Sequence, residues 1–146
     1  MTEQTAILPA VAAAIFNDKG EILLQKRRDA GKWCVISGHV EFGETVEQAV
    51  VREIMEETDC TSSINRLIGV YSSPSSQTYI RHNRRVQYVT LYFEATLTSS
   101  IRTGFNNEET AALQFFAPDR LPEDMDLINP FWLKDALHAA QPVFIR

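Results

Sequence analysis

The sequence lacks the features that identify several classes of protein. Only two of its 146 residues are cysteines, Cys34 and Cys60, which is too few for a disulfide framework or a four-cysteine zinc site. No apolar run approaches the roughly 18 residues that a transmembrane helix needs. Residues 1–5 lack the basic start of a secretory signal. We therefore expect a cytoplasmic protein with reduced cysteines and no membrane association.

Positive charge is also scarce. The chain has 14 basic and 19 acidic residues, which gives a formal net charge of −5. Proteins that bind long nucleic acid through their surface are usually basic, so this class is disfavoured. A small anion held by a local basic patch and a metal ion remains compatible with the composition. No tract rich in glycine, proline or serine divides the chain, so residues 1–146 are predicted to form one domain.

Hydrophobic patterning predicts strands interspersed with two helices. The predicted helices cover residues 45–58 and 129–140, and the predicted strands cover residues 7–16, 22–25, 33–36, 64–72, 86–97 and 111–117. Turn residues at 17–20 predict a hairpin between the first two strands. Residues 73–85 are predicted to be a polar loop. This order favours an α/β fold with a mixed β-sheet covered by helices.

The first predicted helix carries an unusual set of acidic side chains. At about 100° per residue, Glu53, Glu56 and Glu57 fall in one sector, which overlaps the apolar stripe of the helix. Like charges at this spacing repel one another, and the C-terminal end of a helix disfavours anions. A divalent cation would remove both penalties, and ligands that are all oxygens favour Mg²⁺, Mn²⁺ or Ca²⁺ over zinc. The alternative is an ordinary charged surface balanced by Arg52 and water.

The residues around these acids resemble the Nudix box, the signature of the Nudix hydrolases (MutT-like enzymes). Gly38 is followed after five residues by Glu44 and, after seven more, by the run REIMEETDC at 52–60. The usual form is G-x5-E-x7-R-E-U-x-E-E-x-G-U, where U is aliphatic. Asp59 replaces the last glycine, and Cys60 is a loose match for U. Asp59 is expected to adopt the left-handed conformation that often follows a helix.

The resemblance implies the Nudix fold, an α/β/α sandwich around a mixed β-sheet. It also implies Mg²⁺- or Mn²⁺-dependent hydrolysis of a diphosphate linkage in a nucleoside di- or triphosphate derivative. Candidate substrates are a nucleoside triphosphate, ADP-ribose or a nucleotide sugar, and a dinucleoside polyphosphate. The alternative is a catalytically silent Nudix-fold module that binds nucleotides or regulates a partner. A small nucleotide is thus the expected partner, and a homodimer is expected for the family.

Roles for individual residues follow from the same resemblance. The implied metal ligands are the carbonyl group of Gly38 and the carboxylates of Glu53, Glu56 and Glu57. Arg52 and Glu44 would form an ion pair that orients these acids. Glu53 is the favoured general base, and Glu108 and Glu109, which precede the last predicted strand, are the alternatives.

Substrate contacts are predicted outside the box. Arg27 lies where related enzymes place a basic residue against phosphate, and the alternative is a solvated loop charge. Tyr79 and Arg81 lie in the predicted loop 73–85 and suit base stacking and phosphate pairing, unless that loop is merely exposed. Trp33 is expected in the core, and Asn129 is expected to cap the second helix.

Overall fold

The structure is a computed structural model, which describes residues 4–138 and 142–146. Its strands are β1 (Thr5–Ile15), β2 (Ile22–Arg27), β3 (Trp33–Cys34), β4 (Ile36–His39), β5 (Ser62–Tyr71), β6 (Thr78–Arg81), β7 (Arg84–Leu97), β8 (Thr110–Phe116) and β9 (Phe144–Ile145). Its helices are α1 (Val46–Thr58), α2 (Pro74–Gln77) and α3 (Trp132–Leu137). Within the described ranges, no helix is long and apolar enough to span a membrane.

The strands form two sheets. The larger has the order β4-β1-β7-β5-β9, with β6 paired to the start of β7. It is mixed, because β1 is parallel to β7 and β9 is parallel to β5, while β4 is antiparallel to β1 and β5 is antiparallel to β7. The smaller sheet has the order β3-β2-β8. The mixed sheet predicted from the sequence is confirmed.

Strand β1 is shared by two cores on opposite faces of the large sheet. Val11, Ala13 and Ile15 pack in the core that α1 covers. The alternate residues Ala12 and Ala14 pack in the core that α3 covers. Because successive side chains of a strand point to opposite faces, the nearly continuous apolar run lets β1 be buried on both. This arrangement confirms the α/β/α sandwich.

Helix α1 begins and ends where the sequence predicts. Thr45 is the N-cap: its hydroxyl accepts a hydrogen bond from the Gln48 amide, and the Gln48 side chain accepts one from the Thr45 amide, which completes a capping box. Asp59 ends the helix with φ 58° and ψ 30°, and its amide donates to the carbonyl of Met55. The predicted left-handed conformation of Asp59 is confirmed.

We expect Asp59→Gly to change the free energy of unfolding by less than about 1 kcal/mol. Glycine removes a left-handed penalty of roughly 1 kcal/mol, and its greater freedom in the unfolded chain offsets part of that gain. The ion pair between Asp59 and Arg102 (3.6 Å) contributes little, because both side chains are more than half exposed. Urea titration measures the change, with Asp59→Ala as the control that keeps the Cβ atom. Destabilisation above about 2 kcal/mol would show that the carboxylate makes a needed contact.

The predicted polar loop at 73–85 is wrong. This segment forms α2 and β6, and β6 pairs antiparallel with the start of β7. His82 and Asn83 form the two-residue turn between these strands, and both have positive φ angles, 49° and 63°. Such turns match the twist of a hairpin, and asparagine tolerates the conformation well. The strand forms because β7 offers it a hydrogen-bonding edge, which local polarity does not reveal.

The predicted hairpin between the first two strands is also wrong. The turn is present, but only one bridge, between Phe16 and Ile22, joins the two segments. Both edges of β1 are occupied, by β4 and by β7, so β2 pairs instead with β3 and β8. The chain therefore passes from one sheet to the other at this turn.

The C-terminal helix starts later than predicted. The Asn129 side chain accepts a hydrogen bond from the Phe131 amide (2.9 Å) in a turn that precedes the helix, and α3 itself begins at Trp132. The backbone leaves the helical conformation at His138, where ψ is 106°. Residues 139 and 140 of the predicted helix lie outside the described residues.

Candidate active site

A cleft of about 730 Å³ opens between α1, the large sheet and the segment that precedes α3. Nine of the sequence-predicted site residues line it: Arg27, Gly38, Arg52, Glu53, Glu56, Glu57, Tyr79, Arg81 and Glu109. Glu44 does not line the cleft, but it accepts two hydrogen bonds from Arg52, which does. Glu108 is exposed and is not among the lining residues.

Arg52 joins the acidic residues of the cleft wall to one another. Its guanidinium donates two hydrogen bonds to Glu44 (2.7 and 3.0 Å) and one to the carbonyl of His39 (2.9 Å). It also donates to Glu53 (3.0 Å) and Glu56 (3.2 Å). The hydrogen bonds from Arg52 lower the pKa of Glu44. The Arg52 guanidinium therefore fixes the helix to the loop before it and offsets part of the repulsion among the acids.

Two of the helix carboxylates are buried. The exposed fraction is 8% for Glu53 and 2% for Glu57, whereas the side chain of Glu56 is 52% exposed. The Oε2 atom of Glu57 is buried without a hydrogen-bond partner. Burial, together with the charge of Glu53, raises the pKa of Glu57 to about 8, although Arg27 opposes the shift. Burial also raises the pKa of Glu53, against the effect of Arg52. The inner face of α1 therefore favours the protonated form of both acids unless a cation compensates their charge.

Gly38 lies directly against the Glu53 carboxylate. A Cβ atom at position 38 would lie 2.1 Å from Cδ of Glu53 and 2.2 and 2.4 Å from its two oxygens. Gly38 pairs with Val11 in the large sheet, so its backbone cannot retreat without breaking the ladder. The glycine is therefore needed because it leaves room for the carboxylate.

The donors of the cleft suit a hard divalent cation. Three carboxylates from one helix line it, and one buried carboxylate oxygen has no partner. Oxygen ligands of this kind are typical of Mg²⁺ and Mn²⁺ sites. Among the described residues, no group of three acidic, histidine or cysteine side chains is arranged so that it could hold a metal as it stands. Glu53 and Glu56 are instead hydrogen-bonded to Arg52.

The wall opposite α1 is aromatic. The Arg81 guanidinium lies 5.1 Å from the centre of the Tyr79 ring, and Tyr79 lies 5.7 Å from Tyr88. Tyr88 stacks on His39 at 5.2 Å and shares a hydrogen bond with it. The Tyr79 hydroxyl donates to the carbonyl of Leu127 across the cleft (3.1 Å). The sequence singled out Tyr79 and Arg81 but not Tyr88 or His39, because the register between β4, β1 and β7 brings these rings together.

The remaining candidates are divided by their positions. Arg27 lines the cleft with its side chain 28% exposed, and it pairs weakly with Asp29 at 3.5 Å. Glu109 also lines the cleft, and its charge contributes to the raised pKa values of Glu53 and Glu57. Trp33 does not line the cleft and packs edge-on against Phe116, as expected of a core residue.

Comparisons with known proteins agree with this geometry. Residues 6–136 match the family model described as the NUDIX domain. The chain is 33% identical over 129 residues (88% of this chain, 79% of the relative) to a Bacillus subtilis (strain 168) protein provisionally named 8-oxo-dGTP diphosphatase. It is 50% identical over 70 residues to an ADP-ribose pyrophosphatase of Methanocaldococcus jannaschii, covering 45% of this chain and 41% of the relative.

A solved structure shows that the similarity extends to the fold. The crystal structure of a UDP-X diphosphatase superposes on this chain with a TM-score of 0.78 at 24% identity. The superposition covers 100% of this chain and 68% of the other. The two proteins therefore share the sandwich described above.

Proposed function

We propose that this chain, which belongs to the Nudix hydrolase family, hydrolyses a diphosphate linkage in a nucleoside di- or triphosphate derivative with Mg²⁺ or Mn²⁺. The observation that carries this proposal is the pair of buried carboxylates, Glu53 and Glu57, beside Gly38 in the cleft. Burying acids, one of them with an unpartnered oxygen, costs stability, and such a cost is typical of a functional site.

The residues of α1 would hold the cation. Glu53, Glu56 and Glu57 are the proposed carboxylate ligands, and the carbonyl of Gly38 is a fourth candidate. A bound divalent cation neutralises phosphate charge and lowers the pKa of water at the site. Arg52 would act as a positioning residue, because its two hydrogen bonds to Glu44 hold it in place whether or not Glu53 and Glu56 leave it.

Proton transfer is assigned to an acid of the same cleft. Glu53 is the proposed general base, since its carboxylate lines the cleft and burial raises its pKa. It would accept the proton of the water that attacks phosphorus. Glu109 is the alternative base because it lines the same cleft, whereas the position of Glu108 supports no such role.

The other wall of the cleft would bind the rest of the nucleotide. Arg27 is proposed to contact phosphate because its guanidinium faces the acidic end of the cleft. Tyr79 and Arg81 are proposed to contact the base or the second sugar, because they lie on the aromatic wall. The names of the relatives suggest 8-oxo-dGTP and ADP-ribose as the first substrates to test.

A hydrolysis assay over a nucleotide panel tests the proposal. The panel contains dGTP, 8-oxo-dGTP, ADP-ribose, a nucleotide sugar and a dinucleoside polyphosphate, each with Mg²⁺, with Mn²⁺ and with EDTA. We expect metal-dependent release of a phosphorylated product from at least one of them. Binding of a nucleotide by calorimetry without hydrolysis of any would favour the silent module instead.

The double substitution Tyr79→Ala and Arg81→Ala is expected to change the ratio of kcat/KM between two substrates by at least about tenfold, since stacking on one aromatic ring contributes roughly 1–3 kcal/mol. Half-saturation by Mg²⁺ should stay as in wild type, because the α1 acids are untouched. The measurement is kcat/KM for a nucleoside triphosphate and for ADP-ribose across a Mg²⁺ titration. Arg84→Ala, in the same hairpin but outside the cleft, is the control. An unchanged ratio would mean that this wall does not select the substrate.

The single domain spanning 1–146, the cytoplasmic location and the homodimer stay predictions. None is required by the chemistry proposed above, because every side chain assigned to it comes from the described residues of one chain.

A further inference from the structure

A segment that is distant in the sequence donates hydrogen bonds to the C-terminal end of α1. The last four carbonyl groups of a helix have no partner inside it and must find one elsewhere. In α1 the carbonyl of Glu56 accepts a hydrogen bond from the side chain of Asn107 (2.8 Å). The carbonyl of Glu57 accepts one from the hydroxyl of Thr110 (3.1 Å). Both partners come from the start of β8 and the turn before it, more than 50 residues along the chain.

Further hydrogen bonds fix the positions of the two donors, Asn107 and Thr110. The Oδ1 atom of Asn107 accepts hydrogen bonds from the amides of Glu109 (2.9 Å) and Thr110 (2.8 Å). Thr110 is fully buried, and its hydroxyl accepts a hydrogen bond from Gln25 (2.7 Å), which is fully buried in β2. Because a hydroxyl has one proton, accepting from Gln25 commits that proton to the carbonyl of Glu57.

These contacts act on the residues that carry the chemistry. Glu56 and Glu57 bear two of the proposed metal carboxylates, and Glu109 lies between Asn107 and Thr110. A side chain that fixes the backbone of a ligand fixes the direction of its carboxylate, and loss of such supporting partners typically costs 10–100-fold in metal affinity or activity. Oε2 of Glu57 has no hydrogen-bond partner, so the hydrogen bond from Thr110 to the backbone carbonyl of Glu57 is important for the position of this side chain.

We propose that Thr110 and Asn107 are positioning residues, which lock the carboxylate-bearing last turn of α1 to the start of β8 and to the turn before it, which carries Glu109. The proposal rests on the proposed function for the role of the carboxylates. The mechanical part, that this lock holds the end of α1, stands on the hydrogen bonds alone.

The test compares Thr110→Val, which keeps the shape and removes the hydroxyl, with Thr110→Ser, which keeps the hydroxyl. Ile68→Val, a fully buried residue of the opposite core, is the control for general loss of stability. Hydrogen exchange of the amides of residues 54–60 is measured without metal, and the Mn²⁺ concentration for half-maximal thermal stabilisation is measured without nucleotide. kcat and KM follow on the best substrate of the panel.

In Thr110→Val we expect faster exchange at the end of α1, a half-maximal Mn²⁺ concentration raised by about tenfold or more, and a lower kcat with KM little changed. Thr110→Ser should behave as wild type, and Ile68→Val should lose stability without these changes. Unchanged exchange and Mn²⁺ response in Thr110→Val would overturn the proposal, even if the wild type hydrolyses nucleotides. A wild type that hydrolyses nothing, with the exchange and Mn²⁺ effects present in Thr110→Val, would overturn the proposed function and support the lock.

Discussion

Replacing Glu57 by glutamine is expected to lower kcat/KM by at least about 100-fold, because a carboxylate that we propose holds the metal ion would be lost. Glutamine keeps the shape of the side chain but removes the charge of the most buried proposed ligand, which is 2% exposed. The measurement is kcat/KM on the best substrate at saturating Mg²⁺. Glu47→Gln, an exposed acid on the first turn of the same helix, is the matched control and should behave as wild type. Turnover near the wild-type rate in Glu57→Gln would contradict the carboxylate assignment.

Glu57→Gln should lower activity but should maintain or raise stability at alkaline pH. The pKa of Glu57 is about 8 in the folded protein, against roughly 4.3 in an unfolded chain. A folded pKa above the unfolded one gives stability that is complete below about pH 4 and is lost as the pH rises through 8. Glutamine does not ionise, so the variant should lack this loss. In EDTA, its melting temperature should equal or exceed that of wild type at pH 8, and the advantage should vanish at pH 4.

Gly38→Ala is expected to reduce kcat by about 100-fold or more while leaving the fold intact. The new Cβ would lie 2.1 Å from Cδ of Glu53, and the end of a flexible side chain yields more easily than a paired strand. The backbone of Gly38 does not have a positive φ, so alanine can adopt it. A displacement of about 1 Å in a catalytic group can cost 100-fold in rate. The melting temperature and kcat are therefore measured together.

Two comparisons test whether the effect of Gly38→Ala passes through Glu53. In a Glu53→Ala background the added methyl group has room, so Gly38→Ala should cost little more. Gly69→Ala is the contrasting glycine variant, because its Cβ would lie 2.6 Å from the carbonyl oxygen of Phe144 in the neighbouring strand. That clash is with backbone, so Gly69→Ala should lower stability strongly. Equal losses of stability in the two glycine variants would contradict the mechanism given for Gly38.

The parts of the fold that the sequence predicted are those fixed by local interactions. The limits of α1 follow from the capping box at Thr45 and Gln48 and from the turn at Asp59, which lie within a few residues of the helix. The double burial of β1 follows from its composition alone. The alternation of its side chains between two cores then confirms the sandwich.

The parts that were missed depend on partners distant in the sequence. Strand β6 exists because β7 pairs with it, and β2 leaves β1 because other strands occupy both edges of β1. The site shows the same division. Glu53, Glu56 and Glu57 follow from helical spacing, whereas Asn107 and Thr110 contact α1 only through the folded chain. No spacing rule connects residues more than 50 positions apart.

The alanines of β1 bear on the depth of the cleft. Ala10 and Ala12 contribute to the floor of the cleft, and both are nearly buried. Each added methyl group at these positions would make the floor shallower, without touching α1 or the arginine that organises its acids. The depth of the cleft and the arrangement of its carboxylates are therefore set by different elements, β1 and α1.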